Sequence, residues 1–321
     1  MIVLVAALVP LAAQGALVVE DASGARAFLD AAAQYAPSLA PAEIGRLLQR
    51  EVGVDLLAEP PEWHLAPGPR VLAFSRNAAG LAAPVRSAAA ARRALTAWLA
   101  SRSGRVGVVS KGRLLTASGR GAPAMLKMLT LSKPLKTAGP LTWYARLGEP
   151  LRNALLSVDA SASGLVFSGT VTASSPILAG PAPAGCDGAF AGCLRAGLGP
   201  AGRGALSQIV RQDGLARATR VVERLDGVDP RRLWPPYPDA TFDGAPAPSG
   251  PALWGSLDVA QVAAALLKLT PLDAVSSEPA AVAYAAQLLY GELLKHLGPA
   301  ALEGDPGPKN TARIEARLPL H

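Results

Sequence analysis

The chain has 321 residues, of which 50% are apolar, 5% aromatic and 17% charged, and it carries a formal net charge of +7. That length and apolar content suffice for one large domain or two ordinary ones with buried cores, and they exclude a disordered chain. Two cysteines and three histidines supply no evident zinc ligand set.

The first nineteen residues hold no charge before Glu20, and the apolar run passes into small residues around Ala12 to Ala16, as an export signal does. A cut after Gly15 fits that pattern. No Lys or Arg precedes the run, so an uncut anchor and a buried first strand over 16–19 stay open beside cleavage. The expected localisation is export to the periplasm or cell envelope. Residues 1–15 are taken as the leader, 16–138 as an N-terminal α+β domain and 139–321 as a C-terminal α+β domain with Pro-rich loops.

Val18 to Asp21 reads as a strand entering a helix through Phe28, Leu29 and Ala32, stopped near Pro37. A second helix starts at Pro41, sets Ile44, Leu47, Leu48 and Val52 on one face, and ends at Gly53. Strands are expected over 70–76 and 81–85. A helix capped by Ser87 follows, with Ala91, Leu95, Trp98 and Leu99 inward and Arg93 and Thr96 outward. Residues 105–118 read as a hairpin turned at Lys111-Gly112, and a short helix from Pro123 runs through Met125, Leu126 and Leu129.

The period-two signal is clearest after that. Leu156, Val158 and Ala160 alternate with Ser157, Asp159 and Ser161, then Leu165, Phe167 and Val171 with Ser168, Thr170 and Thr172. Near the C-terminus Ile314 and Leu318 alternate with Arg313, Glu315 and Arg317. Such patterning predicts an antiparallel sheet with one wet face. Pro-rich connectors over 176–184 and 234–251 separate these strands, and helices are expected over 257–269 and 279–297. The fold class expected is α+β, a mostly antiparallel sheet with helices packed on one face. A short echo between G-V-D-L-L (53–57) and G-V-D-P-R-R-L (227–233) raises the option of two similar subdomains.

Cys186 and Cys193 flank a Gly-containing stretch of six residues, a spacing that fits neither a redox pair nor a zinc knuckle. In an oxidising compartment they are expected to form a disulfide, worth about 2–3 kcal/mol for so short a loop. In a reducing one they would be two thiols. Gly197, Gly199 and Gly202 have dinucleotide-binding spacing, but a chain with this glycine content yields roughly 0.3 such matches by chance. Thr130 to Lys133 and Lys136 to Ala138 only partly follow the motifs of serine penicillin-binding enzymes. The leading residue is Thr, the last is Ala, and no S-x-N lies between them. His64, beside Trp63, lacks identifiable triad partners, and the pairs Glu59/Glu62 and Asp226/Asp229 read as solvated loops and turns. No catalytic residue, metal site or cofactor is expected.

Charge is the unusual feature. Residues 63–148 hold fourteen Lys or Arg and no Asp or Glu, whereas the remainder holds seventeen basic and twenty-four acidic residues. At the chain's average acid frequency, an acid-free stretch this long has a probability on the order of 0.001 per window. Codon bias toward Arg does not remove carboxylates. Either the belt packs against an acidic part of this chain or a second copy, or it meets an anionic partner. Arg92, Arg93, Arg105, Lys111, Arg113 and Arg120 are the candidate anion-binding residues. The expected function is that of an envelope binding or structural protein facing lipid headgroups, lipopolysaccharide or a wall polymer, at a membrane surface or tethered by the leader. The alternatives are an envelope hydrolase and a cytoplasmic nucleic-acid binder. The latter is disfavoured because the belt has few aromatics to stack bases. Oligomeric state is not encoded in any of these patterns.

Overall fold

Alternation of apolar and polar residues dominates the chain, and its product is one sheet. The computed structural model describes residues 14–58, 63–75, 77–101, 103–131, 137–185, 192–205, 239–242, 245–261 and 291–321. Within them the strands are β1 (Gln14–Val19), β2 (Arg70–Ser75), β3 (Ala78–Pro84), β4 (Arg105–Ser110), β5 (Arg113–Ser118), β6 (Leu141–Arg146), β7 (Leu151–Ser161), β8 (Gly164–Ala173), β9 (Leu178–Gly180), β10 (Gly192–Leu198), β11 (Asp239–Phe242), β12 (Leu253–Leu257), β13 (Ala300–Pro306) and β14 (Thr311–Pro319). The helices are α1 (Ser23–Ala33), α2 (Pro41–Val52), α3 (Ala88–Ala100) and α4 (Ala122–Leu131).

The sheet has fourteen strands in the order β11, β10, β12, β13, β14, β8, β7, β6, β1, β2, β3, β5, β4, with β9 paired beside β10. Only β10 and β11 run parallel. The class is thus the α+β arrangement with a mostly antiparallel sheet that the patterning predicts. β1 sits between β2 and β6, so hydrogen bonding runs unbroken from one side of residue 138 to the other. It begins at Gln14, and the cut considered after Gly15 falls inside it.

Period two decides which side chains go where. The registers Leu156↔Gly169, Val158↔Phe167 and Ala160↔Leu165 put the apolar members of β7 and β8 on one face. Asp159 and Ser168 are exposed on the other. β14 extends both faces, with Leu318 opposite Leu165, Ala316 opposite Phe167, and Arg313 and Arg317 exposed.

Helices α1, α2 and α3 lie on the apolar face, and the helical residues 291–296 add Leu293 and Leu294 to the same core. α1 buries Ala25, Phe28, Leu29 and Ala32. The carboxylate of Asp21 accepts from both the backbone N–H and the hydroxyl of Ser23 at the start of α1, which holds its pKa below the usual value. α2 has Pro41 in its first turn and stops at Gly53, whose φ of 91° is left-handed and whose N–H donates to Gln49 O at 3.0 Å. Its inward residues are Gly45, Leu48 and Val52, while Leu47 stays 37% exposed, so the expected apolar stripe is narrower than its sequence. α3 is capped by Ser87, whose hydroxyl accepts from Ala90 N–H, and buries Ala91, Leu95 and Trp98 as expected.

α4 departs from the one-face expectation. Met125 and Leu129 pack with Ala73, Ala82, Leu115 and Ala117, the strand residues that point away from α1 to α3. The reason is visible in β3, β5 and β2, which are apolar on both faces and cannot leave either in water. Gly80 of β3 makes the approach possible, since a Cβ there would lie 2.7 Å from Met125 Cγ and 2.9 Å from Leu129 Cδ1. Of the helices expected over 257–269 and 279–297, residues 259–261 and 291–296 are helical, while 262–269 and 279–290, like the 227–233 half of the internal echo, lie outside the described residues.

Gly80→Val is expected to destabilise the protein by about 1–3 kcal/mol by forcing α4 off the sheet. The check is the midpoint of urea unfolding. Gly148→Ala, whose added Cβ meets nothing within 4 Å, should leave the midpoint unchanged or slightly raised.

Candidate anion-binding edge

Most of the acid-free stretch of sequence becomes one end of the sheet, while β6, also within it, lies on the other side of β1. At that end β2, β3, β5 and β4 are the sheet's last four strands, with α3 laid on one face and α4 on the other. Acid is not absent from this end in space, because α2, which carries Glu43 and Glu51, packs on β3 and β5.

What fixes this end is the C-terminus of α2. The last carbonyls of a helix have no partner within it and carry partial negative charge. Here they are met from three other elements. The Trp98 indole Nε1–H of α3 donates to Gln49 O at 3.2 Å, the Arg105 guanidinium of β4 donates to Arg50 O, and the Thr116 hydroxyl of β5 donates to Val52 O. Thr116 is fully buried, so that bond has no competition from water. Arg105 also donates to Trp98 O at 2.9 Å and to the Ser101 hydroxyl, and its guanidinium lies 4.6 Å from the Trp98 ring centroid. Gly53 leaves room for this stack, because a Cβ there would press on Trp98 at 3.3 Å and Trp63 at 3.4 Å.

Arg105 is thus committed internally and is removed from the anion-binding set proposed from sequence. Its charge serves a helix end. The remaining candidates divide by position. Arg92 and Arg93 are exposed on the outer face of α3, one turn from its N-terminus. Lys111, at φ 50°, and Gly112, at φ 71°, form the exposed β4–β5 tip, with Arg113 half-buried beside them. Gly112 O accepts from Val85 N–H at 2.9 Å, which holds the tip against the segment entering α3. These four cations share one end of the edge. Arg120 is exposed too, but it follows β5 at the opposite end, a strand length of about 20 Å away.

Arg86 was absent from the sequence-derived set and belongs with the four. It is exposed, next to Val85, and its N–H donates to His64 O at 2.7 Å. Only the tertiary pairing of residues 64–66 with 84–86 reveals this. No ion pair between described residues involves Arg92, Arg93, Lys111, Arg113 or Arg120. Lys127 is exposed on α4, while Arg76, Arg102, Lys133 and Lys136 lie outside the described residues. The belt's aromatics are no stacking platform. Trp63, Trp98 and Trp143 are buried, Phe74 and Tyr144 are half-buried, and burial raises the Tyr144 pKa.

The other motifs resolve into packing. A strand, β10, enters the Gly197, Gly199, Gly202 string, and helical residues 200–205 follow it. The turn is nevertheless closed. Gly199 N–H donates to Ile177 O at 2.8 Å and Ala201 N–H to Pro176 O at 3.0 Å, so the amides a phosphate would need are engaged by backbone. Added Cβ atoms at all three glycines would collide with the backbone of 176–181. His64 is exposed in its loop, and among the described residues no group of three or more His, Cys, Asp or Glu is arranged to hold a metal. Cys193 is buried at the start of β10, while Cys186, Glu59, Glu62, Asp226 and Asp229 lie outside the described residues.

Arg105→Met keeps the alkyl stem over Trp98 and removes the donors to α2. It is expected to cost about 1–2 kcal/mol in urea unfolding. Arg93→Met on the outer face of α3 should cost less than about 0.5 kcal/mol. Equal effects at the two positions would contradict the division between inward and outward cations. Comparison of the chain with protein-family models, with curated proteins and with solved structures finds no match.

Proposed function

We propose that the protein is an exported, envelope-associated binding protein whose basic edge engages an anionic partner, such as lipid headgroups, lipopolysaccharide or an acidic wall polymer. The observation that carries this reading is the clustering of Arg86, Arg92, Arg93, Lys111 and Arg113 at one end of the sheet, with no ion pair among the described residues for the four drawn from sequence. Had the belt served to bind the acidic part of the described residues, its outward cations would meet their carboxylates. Single-stranded nucleic acid is the weaker partner because the edge has no exposed aromatic side chain for bases to stack on.

Each cation near an anionic membrane adds on the order of 1 kcal/mol, so four acting together give useful affinity. Association with vesicles containing anionic lipid should exceed association with neutral ones and fall steeply between low and physiological salt. The combined change of Arg92, Arg93, Lys111 and Arg113 to Glu should abolish the difference. Equal, weak binding to both vesicle types by the unaltered protein, with dissociation of a dimer on charge reversal, would show that the edge joins copies of this chain instead.

Export rests on the uncharged leader, and the Cys186–Cys193 disulfide is proposed with it. Peptide mapping without reduction, on protein taken from the envelope fraction, should find the two cysteines linked. The mature N-terminus should lie no later than Ala16, since Leu17 and Val18 pair with β2 and β6 in mid-sheet. Two alkylatable thiols in a soluble cytoplasmic product that retains residues 1–15 would overturn both.

A further inference from the structure

The space between the sheet and its first two helices is not filled. A cavity of about 180 Å³ lies there, bounded by Leu17 and Val19 of β1, Leu29 of α1, Leu39 after it, Leu48 of α2 and Leu141 of β6. Of its fourteen lining residues only Ser38 has a polar side chain, and none is charged or aromatic. A well-held water needs two to four polar partners, and the side chains here supply one. An apolar cavity of about 150 Å³ is enough to hold benzene, which sets the capacity here near six to eight carbons.

Leu47 belongs to the lining and is also 37% exposed, so the cavity opens to solvent beside α2. A ligand can therefore leave a polar head in water and bury only its tail. We propose that this cavity binds the terminal six to eight carbons of an alkyl chain, as in a lipid or other amphiphile. The lining suits that choice. It is a wall of branched aliphatic side chains with no ring to stack on an aromatic ligand and no donor set to orient a polar one. The site is separate from the basic edge and does not depend on it.

The test uses alkyl maltosides of six, eight, ten and twelve carbons below their micelle concentrations, whose uncharged heads leave the basic edge uninvolved. Tryptophan emission is the readout, because Trp143 sits opposite Leu17 in the β1–β6 pairing and its buried indole N–H has no partner among the described residues. Affinity should rise about fourfold per added methylene up to roughly eight carbons and then level off. Ala25→Leu, which fills the lining from α1, should weaken octyl maltoside at least tenfold. Leu47→Glu places a charge at the opening on an already exposed position, so it should fold normally and weaken binding as well. Absence of binding, affinity that keeps rising with chain length, or octyl maltoside binding unchanged in folded Ala25→Leu or Leu47→Glu would overturn the assignment.

Discussion

The carbonyls at the end of α2 are the constraint on which the N-terminal half of the structure depends. The last carbonyls of a helix lack partners in the next turn, and the one at Val52 is buried, where leaving it without a donor would cost about 1–3 kcal/mol. Trp98, Arg105 and Thr116 supply those donors from α3, β4 and β5. One helix end thereby ties together three elements far apart in sequence. Arg105 does the work that a C-terminal cap residue would otherwise do, with its guanidinium stacked on the same indole that donates to Gln49.

This divides the cations of the belt into two physical kinds. One kind is held by carbonyls and rings and loses its meaning if exposed. The other stands in water, where its energy depends on what approaches and on the salt between. The same side-chain type serves both purposes, so composition cannot separate them. A second pairing of Arg with Trp, Arg195 over Trp254 at 4.6 Å between β10 and β12, shows the internal kind recurring outside the belt.

Most of the fold was legible where the signal is local. Alternation in β7, β8 and β14 assigns each side chain to a face because strand geometry leaves no other choice. Ser87 and Gly53 mark helix ends through their own backbone chemistry. What was not legible depends on partners distant in sequence. Met125 and Leu129 read as an ordinary amphipathic stripe, and nothing nearby says which face of the sheet receives them. The Gly197, Gly199, Gly202 string looks like a ligand cradle until residues 176–181 are seen to occupy it. Of the candidate edge, the outward residues of α3 and the hairpin tip follow from periodicity and turn chemistry. The inward turn of Arg105 and the company of Arg86 follow only from the packing of residues 50 and 64 against them.

Among the described residues the sheet does not close, and β4 is its outermost strand on the basic side, with Val108 exposed. An edge of this composition, R-V-G-V-V-S, is a template onto which another strand could hydrogen-bond. A second copy adding in parallel would bring two Lys111 tips together, cation against cation, whereas an antiparallel approach would set them at opposite ends of the seam. Charge at the tip therefore bears on the direction in which another strand could add, and not only on whether one could.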